Sequence, residues 1–437
     1  MTVTQTQTRP AVAAPATGGH LSTAQGVALY VGAVLGTGVI ALPALAARAA
    51  GPASLIAWVA LVVASIPLAA TFAALGARHP DSGGVSTYAR RAYGPRAGAI
   101  VGWWFYAAVP AGAPAAALFA GGSLEAAFGG GEATVYGTGL ALFAVVGITN
   151  YFGVRISGRM QLILAGVLVT LLLVTALAAL PQADLGNLRP FAPHGWLAVG
   201  SAAALLIWSF AGWEAVTHLA AEFRTPARSL PRATAAAIIV VGGLYLLIAG
   251  AVILVLGSSA GATDAPLAEL LGRAFGAPAK AAAAIVALLL TLGVMNTYHA
   301  GAAKLGAALG RDGALPAWLA RGSQAGEVPR RSLLLTMALG LTGFAIVALT
   351  GVGTESLVLA TTGCFVAVYA LGTLAATRLL PRRTPGWWTA VAAVVTVVAM
   401  LVATGPYLLW PLLVGGAALL YLRRRPAQSS GSTNSRA

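Results

Sequence analysis

Two short segments of this sequence carry residue types that can bind a small ligand with opposite charges. The first is Gly36-Thr37-Gly38, in which two glycines flank a hydroxyl residue. Glycine lets a chain leave helical geometry and bring its backbone close to a ligand. The amides that open at the start of a helix suit a carboxylate. The second segment, Ser209–Glu214, places a glycine between aromatic residues and ends on a carboxylate, so its freed carbonyls suit an ammonium group.

Both segments lie within long apolar runs, Leu29–Ala47 and Leu205–Ala221. The chain of 437 residues is 58% hydrophobic and 8% charged, with a mean hydropathy of +0.84. A soluble domain carries roughly 25% charged residues, so this composition excludes one. Unwound backbone inside a bilayer is tolerated only where it lines a cavity. Two interrupted segments in corresponding halves of a chain therefore point to the binding site of a transporter.

At about 20 apolar residues for each crossing, the sequence predicts an all-α integral membrane protein with about twelve transmembrane helices. We expect these helices over residues 24–47, 52–76, 97–122, 134–152, 160–180, 197–221, 233–256, 279–308, 332–350, 355–379, 387–403 and 406–422. Residues 266–275, in a long link, are expected to form a short interfacial helix.

The chain is expected to form one transmembrane domain over residues 21–425, between disordered tails at 1–20 and 426–437. Leu35–Arg48 aligns with Ser209–Glu222, with five identities in fourteen positions. Because helices 1 and 6 would start from opposite sides, we expect a 5+5 inverted repeat. The two halves would cover about 24–180 and 197–379, and two extra helices would cover about 387–422.

The net charge of +15 does not indicate a nucleic-acid partner, because the basic residues lie in short links between predicted helices. With the N-terminus in the cytoplasm, 22 of the 26 basic residues fall on the inner side and 4 on the outer side. This distribution follows the positive-inside rule and predicts that both termini are cytoplasmic. Only 2 of the 26 are lysine, which is typical of a GC-rich bacterial genome and hence of a bacterial plasma membrane.

The predicted substrate-binding residues surround the two glycine breaks. They are Gly36, Thr37, Gly38, Val39 and Ile40 in helix 1, and Ser209, Phe210, Ala211, Gly212 and Trp213 in helix 6. The alternative for the glycines is close helix packing through small residues. The apolar side chains among these residues favour Leu, Ile, Val or Met over charged substrates.

Four further residues are predicted to act in coupling or gating: Glu214, Glu222, Asn296 and Thr297. Glu214 is an acidic residue at membrane depth, which is costly and therefore points to function. Its alternative is a protonated side chain that bonds a neighbouring helix. Glu222 would pair with an arginine at the inner end, and Asn296 and Thr297 would face the cavity. His218 and His299 are candidate proton carriers, although a structural histidine is favoured over that role.

The sequence predicts neither catalysis nor a cofactor. We find no P-loop, no Gly-x-Ser-x-Gly, no His-Glu-x-x-His and no cysteine cluster, which are the motifs that would support ATP-driven pumping, hydrolysis or metal chemistry. Cys364 is the sole cysteine and lies in an apolar run, where an inert core thiol is expected.

Several stretches resemble the amino acid–polyamine–organocation superfamily: the Gly-x-Gly before Pro43, the segment Phe210–Glu214, the run Glu222–Pro231, and Arg311–Pro316. Within it, Leu35–Val39, Ser82–Val85 and Val109–Ala116 are similar to the bacterial methionine and branched-chain amino acid exporters. The resemblance implies ten helices in two inverted repeats plus two more. It also implies a carboxylate site at Gly36–Gly38, an amine site near Phe210–Ala211, and a cavity between helices 1, 3, 6, 8 and 10. Some members carry a lysine in helix 5 in place of sodium, and this chain has none there.

These observations together predict a secondary transporter of small neutral amino acids that works by alternating access. The resemblance implies in addition that it exports them and that export is coupled to protons. An uptake permease for other amino acids or amines is the alternative within transport. A non-transporting membrane sensor or scaffold would need an effector domain, and a membrane-embedded enzyme would need clustered polar residues near an interface. The sequence offers neither feature.

Overall fold

A computed structural model of the chain describes residues 21–80, 83–153, 158–214, 217, 220, 223–323 and 327–424, with the backbone alone at 158–161 and 210. These residues form fifteen α-helices, joined by 3₁₀ and π turns. The helices are α1 (Thr23–Leu35), α2 (Gly38–Ala50), α3 (Ser54–Arg78), α4 (Gly84–Tyr93), α5 (Pro95–Phe128), α6 (Gly131–Tyr151), α7 (Gly158–Ala179), α8 (Ala198–Leu206), α9 (Pro226–Ala251), α10 (Pro266–Phe275), α11 (Ala277–Arg311), α12 (Arg330–Thr350), α13 (Thr354–Leu379), α14 (Pro385–Thr404) and α15 (Leu409–Arg424).

The length and composition of the helices agree with a membrane-spanning chain. Within the described ranges, nine helical stretches are long and apolar enough to cross a bilayer. Two shorter apolar helices, Thr23–Leu35 and Ala198–Ser209, end at the predicted breaks. Each of the twelve predicted spans overlaps described helix, so the all-helical fold is confirmed. The count of twelve crossings, the inverted repeat and the sidedness stay predictions, and both predicted tails lie outside the described residues.

The links between the long helices contain two short helices. The interfacial helix predicted at residues 266–275 is present as α10, which starts at Pro266. The sequence did not predict α4, a ten-residue helix that ends before Gly94. Helix α9 also starts earlier than predicted. It begins at Pro226, where proline needs no amide partner, and it continues through Pro231.

Ten of the fifteen described helices pack in two groups. One group contains α1, α2, α3, α8 and α9, and the other contains α5, α6, α11, α12 and α13. Helices α14 and α15 lie against α3, α5 and α13. At the end where α1 begins, Leu21 pairs with Phe223, and the Arg224 amide donates to the Leu21 carbonyl at 3.2 Å. This pairing ties the start of helix 1 to the end of helix 6.

Candidate functional site

The predicted interruption of helix 1 is present. Helix α1 ends at Leu35 and α2 begins at Gly38. Between them Gly36 has φ 28° and ψ −143°, a conformation that a side chain would strain. Thr37 is the N-cap residue of α2, but its side chain makes no capping hydrogen bond. The Ile40 amide donates to the Thr37 carbonyl oxygen at 3.2 Å. Because the first amides of a helix lack partners one turn earlier, this break leaves the amides of Gly38 and Val39 without a cap.

The predicted interruption of helix 6 is also present. After α8 the chain tightens into a 3₁₀ turn over Ile207–Phe210 and becomes extended at Ala211, with φ −67° and ψ 135°. Gly212 follows at φ 124°. A Cβ on Gly212 would lie 2.9 Å from the carbonyl carbon and oxygen of Ala33. Glycine is therefore required here both by the backbone conformation and by the close approach of helix 1.

The two breaks lie directly against each other. A Cβ on Gly38 would be 2.7 Å from Ser209 Oγ and 3.1 Å from Ser209 Cα. The rings of Tyr30 and Trp213 also meet, with centroids 5.6 Å apart. Ser209 is 1% exposed, and its Oγ has no hydrogen-bond partner among the described residues. The uncapped start of α2 and an unused hydroxyl group therefore share one buried junction.

A tyrosine from a third helix joins the freed carbonyls of both breaks. The Tyr245 hydroxyl of α9 lies 2.7 Å from the Val34 carbonyl oxygen and 2.8 Å from the Ser209 carbonyl oxygen. Its ring packs against Trp58 of α3 at 4.9 Å. Sequence reasoning missed Tyr245. The available signal was a single hydroxyl group within the apolar run of helix 7, since such groups in membrane helices usually face polar partners in the bundle.

A cavity of about 70 Å³ opens beside this junction. Five segments line it, from helices 1, 3, 6, 8 and 10 of the predicted spans. The lining residues are Ala33, Val34, Gly36, Thr37 and Gly38; Ala108, Val109, Gly112, Ala113 and Ala116 of α5; Trp208 and Ala211; Val294, Met295, Tyr298 and His299 of α11; and Thr361 and Phe365 of α13.

Glu214 lies outside the cavity lining, behind the second break, and is 1% exposed. Its Oε2 accepts hydrogen bonds from the Gly212 amide at 3.0 Å and from the Tyr369 hydroxyl at 2.6 Å. Its Oε1 has no partner in the part of the chain that is described. The carboxylate therefore holds the unwound turn in place and links it to α13.

Four of the predicted binding residues line the cavity: Gly36, Thr37, Gly38 and Ala211. The other described ones do not. Val39, Ile40 and Trp213 are buried in the packing around the breaks, so the cavity's apolar walls come from α5, α11, α13 and Trp208 instead. We expected the side chains of these three residues to select an apolar substrate, and the structure places other residues at the cavity instead. The Phe210 side chain, Glu222 and His218 lie outside the described residues.

The prediction that Asn296 and Thr297 face the cavity is wrong. The Asn296 Oδ1 accepts from Thr149 Oγ1 at 2.9 Å and Asn150 Nδ2 at 2.7 Å, both on α6. Thr297 is exposed, and its hydroxyl donates to the Gly293 carbonyl within the same helix. Successive helical residues are rotated by about 100°, so the α11 face that carries Met295 and His299 to the cavity turns these two residues away.

Comparison with known proteins agrees with this architecture. The family model described as "Amino acid permease" matches residues 21–416, so the chain belongs to the amino acid permease family, within the amino acid–polyamine–organocation superfamily. It is similar to the uncharacterized amino acid permease YecA of Bacillus subtilis, at 30% identity over 92% of this chain and 95% of the relative.

Two further relatives carry names that include a substrate. The chain is 30% identical to the L-methionine/branched-chain amino acid exporter YjeH of Escherichia coli, over 95% of this chain and 98% of the relative. It is 29% identical to the branched-chain amino acid permease BcaP of Bacillus subtilis, over 50% of this chain and 51% of that relative. The chain is therefore a multi-pass membrane protein of a transporter family.

Proposed function

We propose that this protein is a secondary active transporter that exports small neutral, mostly apolar amino acids of the Leu, Ile, Val and Met class across a bacterial plasma membrane, in exchange for protons. The observation that carries the proposal is the start of α2, where no side chain caps the helix and where Gly36, Thr37 and Gly38 line a cavity with small and apolar walls. The name of the Escherichia coli relative, an exporter of methionine and branched-chain amino acids, supports the direction and the substrate class.

The substrate carboxylate binds at Gly36–Gly38 in this proposal. The α2 amides and the partial positive charge of the helix start attract an anion there. The Ser209 hydroxyl, which has no partner among the described residues, lies beside Gly38 behind this site. The ammonium group lies near residues 209–211, where the backbone leaves helical geometry. The side chain extends toward small and apolar residues of α5 and α11.

Coupling to protons is assigned to Glu214. Its carboxylate bonds both the unwound turn of helix 6 and Tyr369 of α13. Adding or removing a proton there changes contacts on two elements that flank the cavity. Glu222, which follows on helix 6, is proposed as a gating residue at the end of that helix, and a proton is the proposed coupling ion.

The test is flux of radiolabelled leucine and methionine in vesicles that contain the purified protein, with and without a pH gradient. The Glu214→Gln variant should keep exchange of amino acid across the membrane but lose its dependence on the gradient. Glu132→Gln, at an exposed position on α6, is the control and should behave as wild type. Flux that ignores the gradient in wild type refutes proton coupling, and absence of amino acid flux in every condition refutes the transport assignment. Uptake that exceeds efflux under the same gradient favours the uptake permease.

A further inference from the structure

The surface at one end of the bundle carries positive charge that the cavity and the breaks do not use. Helix α13 is long and apolar enough to cross a bilayer and ends at Leu379, and α14 starts the next such stretch at Pro385. The short helix α4 packs against α13 at this end. Residues 78–96 and 378–388, which form these helix ends, contain seven arginines and one acidic residue, Asp81, which lies outside the described residues.

Arg378, the penultimate residue of α13, is held in place at this surface. Its Cζ lies 4.3 Å from the centroid of the Tyr93 ring, and its Nη1 donates to the Ala92 carbonyl oxygen at 3.3 Å. Both contacts are at the end of α4, where a cation can bond the last carbonyls of a helix. An arginine has five N–H donors, and this is the single hydrogen bond of the Arg378 side chain to the described part of the chain. Because Arg378 is exposed, the other donors are open to a ligand.

Two tryptophans lie beside the same helix end. The Trp387 Nε1 donates at 3.1 Å to the carbonyl oxygen of Thr377, the residue that precedes Arg378. The Trp387 and Trp388 rings meet with centroids 4.9 Å apart, and Trp388 is 57% exposed. Tryptophan is enriched where a membrane meets water. Arg378 therefore lies at the depth at which lipid headgroups are expected.

The electrostatic field at this surface is positive. Arg382 and Arg383 are exposed, and their guanidinium groups form no hydrogen bond or ion pair with any described residue. Partial burial and the positive charges of Arg91 and Arg78 lower the pKa of His79, which the Arg91 Nη1 contacts at 3.2 Å. The surface therefore attracts anions.

We propose that Arg378, Tyr93, Trp388, Arg382 and Arg383 bind the headgroup of an anionic phospholipid such as phosphatidylglycerol. The lipid phosphate accepts from the open donors of Arg378, because an arginine that is stacked on a ring presents its fork to a phosphate.

A lipid fits this surface better than a free anion does. Leu374 precedes Arg378 by four residues on α13, so the two side chains lie on one face of the helix. Leu374 is 41% exposed and lies on the membrane side of Arg378, where it can contact an acyl chain. The inference concerns a second ligand and does not depend on the transported substrate.

The experiment measures thermal unfolding of the purified full-length protein in a neutral detergent while phosphatidylglycerol is added. A ligand of the folded state raises the unfolding temperature, and the concentration dependence gives its apparent affinity. Arg378→Gln removes the charge and the fork and should lower this affinity about tenfold. Tyr93→Leu keeps the charge but removes the ring that orients it, and it should lower the affinity about two- to fivefold.

The matched control is Arg424→Gln. Arg424 is an exposed arginine at the end of α15, near Tyr421, whose ring meets that of Trp103 in α5. It therefore lies at the same end of the bundle, and its replacement should leave the affinity for phosphatidylglycerol at the wild-type value. Each variant is compared with itself without lipid, so a change in basal stability does not imitate a loss of binding. If Arg378→Gln fails to fold, Tyr93→Leu decides the question.

Phosphatidylcholine and inorganic phosphate, each added to wild type at the same concentration, should raise the unfolding temperature less than phosphatidylglycerol does. The inference is wrong if phosphatidylcholine stabilises the protein equally, since acyl chains alone would then account for binding. It is also wrong if inorganic phosphate gives the whole effect, which would identify a site for a free anion. Equal losses of affinity in Arg378→Gln and Arg424→Gln would overturn it as well, because the attraction would then come from diffuse charge.

Discussion

Replacing Gly38 with alanine tests whether the contact between the two breaks positions the substrate. The new Cβ would lie 2.7 Å from Ser209 Oγ, which can rotate away, and 3.1 Å from Ser209 Cα, which cannot. Ordinary contact begins at 3.4 Å, so the breaks must separate by about 0.3 Å. Overpacking of this kind costs about 1–3 kcal/mol. If the bound state bears that cost, the affinity for leucine falls about 5- to 150-fold.

The matched control for this variant is Gly32→Ala. Gly32 lies on α1 one turn before the break, and a Cβ there would meet no atom within 4 Å. Equilibrium binding of labelled leucine to purified protein measures the effect, and gel filtration of each variant checks its folding. Gly32→Ala should bind leucine as wild type does. The reasoning is refuted if Gly38→Ala binds as tightly as wild type, or if both variants lose affinity equally.

Three further substitutions test the polar contacts around the cavity. Tyr245→Phe leaves two buried carbonyls without their shared hydroxyl group and should destabilise the protein by about 1–3 kcal/mol. Thermal unfolding in detergent measures this effect. Unchanged stability would show that the Tyr245 hydroxyl does not hold the two breaks together. Asn296→Leu removes the acceptor for Asn150 and should lower stability while the relative rates for different substrates stay constant. Tyr369→Phe removes a donor to Glu214 and should weaken the response of flux to a pH gradient, with leucine affinity within twofold of wild type.

The positions of the two breaks could be predicted from the sequence because the signal is local. Gly36, Gly38 and Gly212 stand in apolar runs of membrane length, where a glycine is the residue that permits an unwound turn. In the structure Gly36 and Gly212 have positive φ, and Gly38 and Gly212 lie in close contact with the other break. The backbone conformation and the close contact both require a residue without a side chain. The residue type and its place in an apolar run were therefore sufficient to predict where the helices break.

The rotation of each helix about its axis could not be predicted in the same way. In water an apolar stripe identifies the buried face of a helix, but in a bilayer the outer face is apolar as well. On α11, Leu289 is 47% exposed and Met295 is 2% exposed, although both are large and apolar. Asn296 is buried, as its polarity predicts, but it faces α6. Polarity therefore indicated burial without indicating which neighbour receives the side chain.

Contacts between residues that are far apart in the sequence could not be predicted either. Tyr245 follows Ser209 by 36 residues and Leu35 by 210. Nothing near it in the sequence marks those carbonyls as its partners. Its role depends on how α9 packs between α1 and α3, and that arrangement is a property of the whole bundle. The cavity residues on α5 and α13 were missed for the same reason.

The placement of the polar contacts fits the rocking motion that alternating access requires. Tyr245 joins elements within the group formed by α1, α2, α3, α8 and α9. Asn296 joins α11 to α6 within the other group. The bond between Glu214 and Tyr369 instead crosses from the helix-6 segment to α13. If alternating access moves one group against the other, as we propose, the motion would stretch this crossing bond and leave the first two intact. In the proposed mechanism, a proton at Glu214 would act where the two groups meet, and it would bias their arrangement without entering the cavity.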